Sequence, residues 1–410
     1  MKVLLAHNYY RSSAPSGEDA VFRSERALLE SRGIEVIPFE RFNDDINDSG
    51  IANRVNVAVN TSWSRATYRE LKDLLRKTRP DIAHFHNTFP QISPSAYLAC
   101  QHSGVPVVQT LHNYRFVCPG AMLMRDGRPC ELCLGRSLLP AIWHRCYRDS
   151  LAATAALVLM ISSNRLRGSF QRLVNRYISL TEFAACRLIA GGLPKNKIVV
   201  KPNFIEDVPP ISPAKLPYAI YVGRLKSEKG VRTLLDAWRE LPDVPLKILG
   251  DGELRPELEL KAKEHGLNVE FLGYMPRDQV LALVGRATIQ VIPSECYEGF
   301  PLVVLEAYAC ATPVIASRIG SLDELVEDGK CGLKFEAGNA LDLAAKVKDL
   351  WAKPSRIPTL GENARELLQS RYTGDRNIEQ LTRIYQEARE DFMASPFSRR
   401  ALPPQATEVS

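Results

Sequence analysis

The first limits on this chain come from what it lacks. No apolar run approaches the roughly 20 residues that a membrane-spanning helix needs; the longest, Ala152–Ile161, falls well short. The opening MKVLLAHNYY has one lysine and a very short apolar run. It reads as a first strand rather than an export signal. The chain has nine cysteines, an odd number, and no visible export signal, so a disulfide framework is not expected. No nucleic-acid-binding motif accompanies the basic residues, which sets nucleic acid aside as a partner. The acidic stretch Asn43–Asp48 could pass for a metal-binding D-x-D. It lacks the flanking strand that would hold it rigid and reads as a surface loop.

What is present is an ordinary globular composition. The chain has 410 residues, 45% hydrophobic and 24% charged, enough for two domains. The net charge of +6 is localised. Between Leu134 and Thr181 stand Arg136, Arg145, Arg148, Arg165, Arg167, Arg172 and Arg176 against the single acid Asp149, an excess equal to that of the whole chain. Such a one-sign segment suits an anionic membrane surface or lipid phosphate. The alternative is a solvated helix face. With no export signal visible, a cytoplasmic protein is expected, peripheral on the membrane's inner face if the arginine segment meets lipid.

Buried-type strands alternate with helical spacing along most of the chain, which predicts parallel sheets in α/β domains. Strands are expected at Lys2–Ala6, Ile34–Phe39, Asp81–His86, Val105–Leu111, Arg176–Leu180 and Ile198–Lys201, with a long helix from Ser150 to about Val174. Gly17 follows the first strand near a helix start, where a ligand can approach backbone closely. His84-Phe85-His86 and His112 end two strands, and the carboxyl edge of such a sheet is where ligands sit. A single histidine is more often a packed residue than a catalyst; two clusters on one edge favour function. Pro202 is followed by Pro209, Pro210, Pro213 and Pro217, a density that fits an interdomain linker over 204–217.

Cys118, Cys130, Cys133 and Cys146 form a separate feature. The C-x2-C turn can present two thiolates to one tetrahedral ion, and the outlying pair, or His144 as substitute, can complete the set. The intervening sequence is rich in glycine, proline and charge, so a structural zinc is expected to staple it. Four reduced thiols, or a redox pair at 130 and 133, are the alternatives.

The chain is organised around VIPSECYEGFPLVVLEAYACATPVIAS, residues 291–317. It reads strand, loop, helix, strand, with a helix starting near Phe300, Pro301 in its first turn and Leu302 opening its apolar stripe. Glu298 precedes the helix and Glu306 rides on it about two turns later. Backbone N–H groups at Gly299 and Phe300 would face an anion, while the two carboxylates suit sugar hydroxyls. A helix cap plus a solvated glutamate is the plain alternative. Upstream, Arg224 and Lys229 flank a strand-to-helix turn and together can neutralise a diphosphate, unless they are merely solvated loop charges.

These two stretches, E-G-F-P with L-E-A and T-P-V-I-A-S at 298–317 and V-G-R-L-x-x-E-K-G at 222–230, resemble the E-x7-E signature and second signature of the retaining GT-B glycosyltransferases of family 4. Ala311 departs from the family's usual glycine, and Ser16-Gly17 replaces a common Gly-Gly. The resemblance implies a GT-B fold, two Rossmann-like doubly wound domains facing a cleft. One would span 1–203 on the acceptor side, with the Cys-rich insert at about 118–146, and the other 218–374 on the nucleotide-sugar side. A last helix over 375–393 would cross back to the first domain, and 394–410 would form a loose tail. It further implies transfer of a sugar, with retained configuration and no catalytic metal, from a UDP- or GDP-sugar to a glycan or lipid-linked acceptor in surface polysaccharide or glycolipid assembly. Carried over residue by residue, Gly17, Arg224, Lys229, Gly299, Phe300, Pro301, Leu302 and Glu306 would bind the donor. Glu298 would hold the transferred sugar, His112 in T-L-H would line the reacting centre, and His86 would serve the acceptor side. A sugar-nucleotide epimerase on the same fold and a non-catalytic, zinc-stapled binding protein are the rival readings.

Overall fold

The computed structural model describes residues 1–13, 16–47, 49–212 and 214–398. The chain divides into two compact units, one of Met1–Ala121, Leu132–Pro202 and Asn377–Ser410, the other of Met122–Glu131 and Asn203–Arg376. Most of the expected tail, 399–410, lies outside the described residues.

The first unit is built on a six-stranded sheet. Its strands are β1 (Lys2–Tyr9), β2 (Glu35–Phe42), β3 (Ile82–Phe85), β4 (Val107–Leu111), β7 (Arg176–Ser179) and β8 (Ile198–Val200), a short hairpin of β5 (Met124–Arg125) and β6 (Arg128–Pro129) intervening in sequence. The order is β2-β1-β3-β4-β7-β8, and every pairing is parallel. Parallel neighbours need crossovers, and the helices that make them cover both faces. That is why Val3, Leu4, Leu5 and Ala6 are all fully buried although they point alternately up and down. The helix Gly17–Ser31 is set by a capping box, Ser16 accepting from Glu18 N–H while Asp19 reaches back to the Ser16 N–H. Val3, Leu5, Phe22, Ile82 and Ile178 form a core with Leu381, Ile384, Tyr385 and Ala388 of the terminal helix Gly374–Met393.

The second unit repeats the scheme with β9 (Leu216–Val222), β10 (Leu246–Leu249), β11 (Val269–Gly273), β12 (Ala287–Ile292), β13 (Val314–Ser317) and β14 (Gly332–Phe335), in the order β11-β10-β9-β12-β13-β14. All its pairings are parallel too. Trp238, Leu234, Ile248, Val291 and Phe335 are among its core.

Three extents differ from those read in sequence. The stretch 204–217 is largely part of the second unit: Ile205 bridges to Thr373, and Lys215 donates to Gly285 O, Cys310 O and Thr312 Oγ1. Proline density marked irregular backbone there but could not show that a partly buried amine anchors it. The helix expected over 150–174 runs only over Leu151–Leu166, because Gly168 turns left-handed at φ 64° before a short second helix, Ser169–Arg172. By contact, Met122–Glu131 of the Cys-rich segment falls in the second unit. Among the described residues no helix is long and apolar enough to cross a membrane.

Candidate functional site

In the second unit the two signature stretches meet at the carboxyl ends of β9 and β12. After β9 the chain passes Arg224 and makes a tight turn at Ser227–Lys229. Gly230 ends it at φ 66°, and a Cβ there would lie 1.8 Å from the Pro293 carbonyl oxygen. Glycine is required by conformation and by space alike. That close approach, with Glu295 N–H donating to Glu228 O at 3.0 Å, brings Lys229 to Glu298. Lys229 Nζ donates to Glu298 Oε1 at 2.6 Å, and Ser294 Oγ donates to the same oxygen at 2.7 Å. Burial would push the Glu298 carboxyl up, but the Lys229 ammonium outweighs it and holds the group below its ordinary range. Burial likewise opposes the Lys229 charge, and Glu298 outweighs it. Both therefore stay ionised at neutral pH.

Arg224 is exposed, its carbonyl held by the buried Tyr221 hydroxyl at 2.9 Å. The helix Leu302–Ala309 begins two residues after the Phe300 start that the sequence suggested, Pro301 standing at its N-cap, outside the first turn, with no side-chain cap. Gly299 precedes it, its carbonyl accepting from Ser321 Oγ, and Phe300 packs edge-on to Tyr372. Glu306, mostly buried, accepts from Arg277 Nε at 3.2 Å. The sequence reading did not single out Ser294 or Arg277; neither carries a local signal.

The first unit holds a second constellation, at the carboxyl ends of β1, β3, β4 and β8. Lys201 Nζ lies 3.2 Å from Glu25 Oε2, and His86 Nε2 lies 3.0 Å from Glu25 Oε1. The other nitrogen of His86, Nδ1, lies 2.9 Å from His112 Nε2. Beside this chain, His84 joins Tyr385 hydroxyl, Thr110 Oγ1 and Glu25, and His7 joins Asp19. Glu25, Lys201, His7, His84 and His86 are all buried. Burial would raise the Glu25 carboxyl; Lys201 and the neighbouring histidines outweigh it and hold it well below its ordinary range. Burial drives His84 and His112 well below the usual imidazole range, with His86 reinforcing the effect.

His112 lines a cavity with Glu18, Gln109, Asn113, Arg115 and Phe116. Asn113 donates to Glu18 at 2.6 Å, and the Arg115 guanidinium lies over the Phe89 ring at 4.3 Å. His86 also lines this cavity but is itself buried, one ring behind His112. Gly17 is the first helical residue, and a Cβ there would meet no protein atom within 4 Å. Sequence reasoning passed over Glu25 and Lys201. A signal for Glu25 existed: it is a charged residue on the apolar stripe Phe22, Glu25, Leu29 of a buried helix face.

Glu25, His84 and His86 are the only group of three or more His, Cys, Asp or Glu among the described residues whose ligand atoms all lie within 4.8 Å of one another. The Lys201 ammonium on Glu25 makes this an ion-pair network rather than a fit for a cation. Correspondingly, no three of Cys118, Cys130, Cys133 and Cys146 have their sulfurs so gathered, and all nine cysteines are outside disulfides. Cys118 and Cys146 both lie close to Gly120. Spacing fixes how far apart two ligands are in the chain, not where the turns between them aim the sulfurs. Of the acidic stretch, Asn43–Asp45 forms a short 3-10 turn with Asp44 accepting from Ser12 N–H; Asp48 lies outside the described residues.

Residues 25–207 match Glycosyltransferase Family 4 and residues 205–367 match Glycosyl transferases group 1. With two parallel-sheet units and neighbours of the same architecture, the chain is a glycosyltransferase of the GT-B fold. An uncharacterized glycosyltransferase of Methanocaldococcus jannaschii is 32% identical over 47% of this chain, a match spanning 54% of that relative. Glycogen synthase of Mycobacterium tuberculosis is 33% identical over 72% of this chain and 66% of its own length. The crystal structure of Anabaena HepE in complex with UDP has a TM-score of 0.66 at 18% identity, covering 94% of this chain and 100% of that one.

Proposed function

We propose that the second unit binds a nucleoside-diphosphate sugar and that the enzyme transfers the sugar with retention to a glycan or lipid-linked acceptor handled by the first unit. The observation that carries the donor reading is the Lys229–Glu298 pair, held by the Gly230–Pro293 contact beside an uncapped helix N-terminus. As the glycosidic bond to the donor breaks, negative charge develops on the departing diphosphate. Arg224, Lys229 and the N–H groups around Phe300 stabilise that charge. Glu298 receives Lys229 and Ser294 on Oε1, which leaves Oε2 to a sugar hydroxyl. Glu306 takes a ribose hydroxyl, with Arg277 orienting it. HepE, a structural neighbour solved with UDP, supports a nucleotide donor. Thermal-shift titration with UDP, GDP and ADP tests it. One nucleotide is expected to stabilise the wild type by about 2.7 kcal/mol at a hundred times its dissociation constant, and Glu306→Ala is expected to abolish that response. No stabilisation by any of the three would overturn the donor reading. Retention is tested by the anomeric coupling constant of the first-formed product.

A membrane-proximal acceptor is supported by the surface of the first unit. The helices Gly50–Ser62, Leu139–Trp143 and Leu151–Leu166 pack together and leave large apolar side chains outside: Trp143 is 87% exposed, Leu166 90% and Leu139 67%. Arg145, Arg148, Arg167 and Arg172 are exposed in the same stretch. Arg176 is spent on Glu387 and Asp391, so the charge is smaller than the sequence count but stands beside apolar anchors. Co-sedimentation with anionic phosphatidylglycerol vesicles is expected, and weakened in Trp143→Ser with Leu166→Ser. Equal recovery of both proteins in the supernatant would remove this part of the proposal.

A further inference from the structure

We infer that Glu25, clamped by Lys201, sets the tautomer of His112 through His86, so that His112 carries its proton on Nε2 and keeps Nδ1 as an acceptor. The inference rests on the reading that His112 works at the reacting centre; Glu25, His86 and Lys201 are then positioning residues, not catalytic ones.

The argument is a count of hydrogens along one chain of contacts. Lys201 Nζ can only donate, and it takes Glu25 Oε2. The ionised carboxylate can only accept, so the 3.0 Å contact at Oε1 requires a hydrogen on His86 Nε2. With that hydrogen in place, neutral His86 has a bare Nδ1. The 2.9 Å contact to His112 Nε2 can then be made only if His112 donates. The opposite polarity would require a second proton on His86. Lys201 and Glu25 already cancel, so that proton would leave a net positive charge buried among His84, His7 with Asp19, Tyr385 and the Lys201 ammonium. The network links the helix Gly17–Ser31, the ends of β3 and β4, and the residue following β8, so its polarity is set far in sequence from His112.

Long-range nitrogen–proton spectra of the full-length protein labelled with 15N-histidine test this at neutral pH, His112 being assigned by the signal lost in His112→Asn. A protonated-type resonance at Nε2 and a bare-type resonance at Nδ1 are expected. In Glu25→Gln, Lys201 claims the amide oxygen and turns the NH2 toward His86 Nε2. The chain then runs backwards, and His112 is expected to move its proton to Nδ1. Lys201→Met, which leaves the carboxylate uncompensated and lets His86 take a proton, is expected to do the same. With an active donor–acceptor pair, Glu25→Gln is expected to lower kcat by more than about tenfold with KM little changed. A wild-type His112 protonated on Nδ1 overturns the inference outright, as does a tautomer unmoved in both variants. The wild-type spectrum needs no substrate, and beyond the wild type it needs only that His112→Asn folds for the assignment. A wrong assignment of His112 to the reacting centre would instead show as the expected tautomer shift with unchanged kcat.

Discussion

The two sheets of this protein each carry a charged constellation at their carboxyl edge, and the two are assembled in opposite ways. In the second unit, Arg224 to Gly230 and Ser294 to Glu306 are two continuous stretches, one after each of two adjacent strands, and the pairing of β9 with β12 brings them together. The Lys229–Glu298 pair is mostly buried but still reaches solvent, with side chains 21% and 14% exposed. In the first unit, Glu25, His86, His112 and Lys201 come from four places in the chain and are sealed from water or nearly so. A pair that reaches solvent can exchange its internal partner for a ligand. A sealed one cannot without leaving a buried charge behind, so its role is to hold something else in a defined state.

Substitutions that disturb one unit and spare the other sharpen this contrast. The largest effect is expected from Gly230→Ala, which places a methyl against the Pro293 carbonyl at a left-handed residue. It should destabilise the second unit by on the order of 4 kcal/mol, seen as faster hydrogen exchange in β9 and β12 with β1 and β4 unchanged. Lys201→Met should cost the first unit about 3 kcal/mol, because Glu25 loses its buried countercharge; denaturant melts followed by exchange in the helix Gly17–Ser31 check it. Glu298→Ala should leave folding nearly intact yet raise the reaction barrier by about 3 kcal/mol. A drop in kcat on the order of a hundredfold is the readout.

The pH response should separate the units. His84 and His112 are held below the ordinary imidazole value of 6.5 in the fold. As pH falls through about 6.5 the unfolded chain gains protons that the folded chain refuses, so the first unit loses stability from there downward. Glu298 is depressed below 4.5; its contribution is present above that value and is lost only as pH falls through its lower folded value. Between pH 7 and pH 5, protection factors (exchange corrected for the intrinsic rate at each pH) should therefore fall in the first unit before the second. The smallest effect is expected at Ala311, which ends the helix Leu302–Ala309 at φ 49°. Ala311→Gly should stabilise the second unit by about 1 kcal/mol, read as a rise of a degree or two in Tm.

Much of the second unit's site is legible in sequence, because its residues are neighbours along the chain and the strand–turn–helix pattern fixes how each turn faces. Arg224, Lys229, Glu298 and Glu306 follow from that pattern, as does the helix that starts at Leu302. The left-handed strain at Ala311 is not legible, since alanine by itself does not announce the conformation it is forced into. In the first unit His86 and His112 are visible as histidines ending strands, and nothing nearby says that they touch. Four cysteines at metal-like spacing are visible as well, and no three of their sulfurs lie within 4.8 Å of one another.

The sequence by itself determined the alternation of strands and helices, the parallel sheets that follow from it, and the two signature loops. Those depend on periodicity, turn chemistry and contacts between near neighbours. Only the tertiary structure decided that Glu25 and Lys201 meet, that His86 stands between Glu25 and His112, and that Lys215 anchors what reads as a linker. Those contacts join residues separated by up to 176 positions. They exist because crossover helices bring distant strand ends to one edge, and a buried charge is tolerable there only beside the particular partner that the fold supplies.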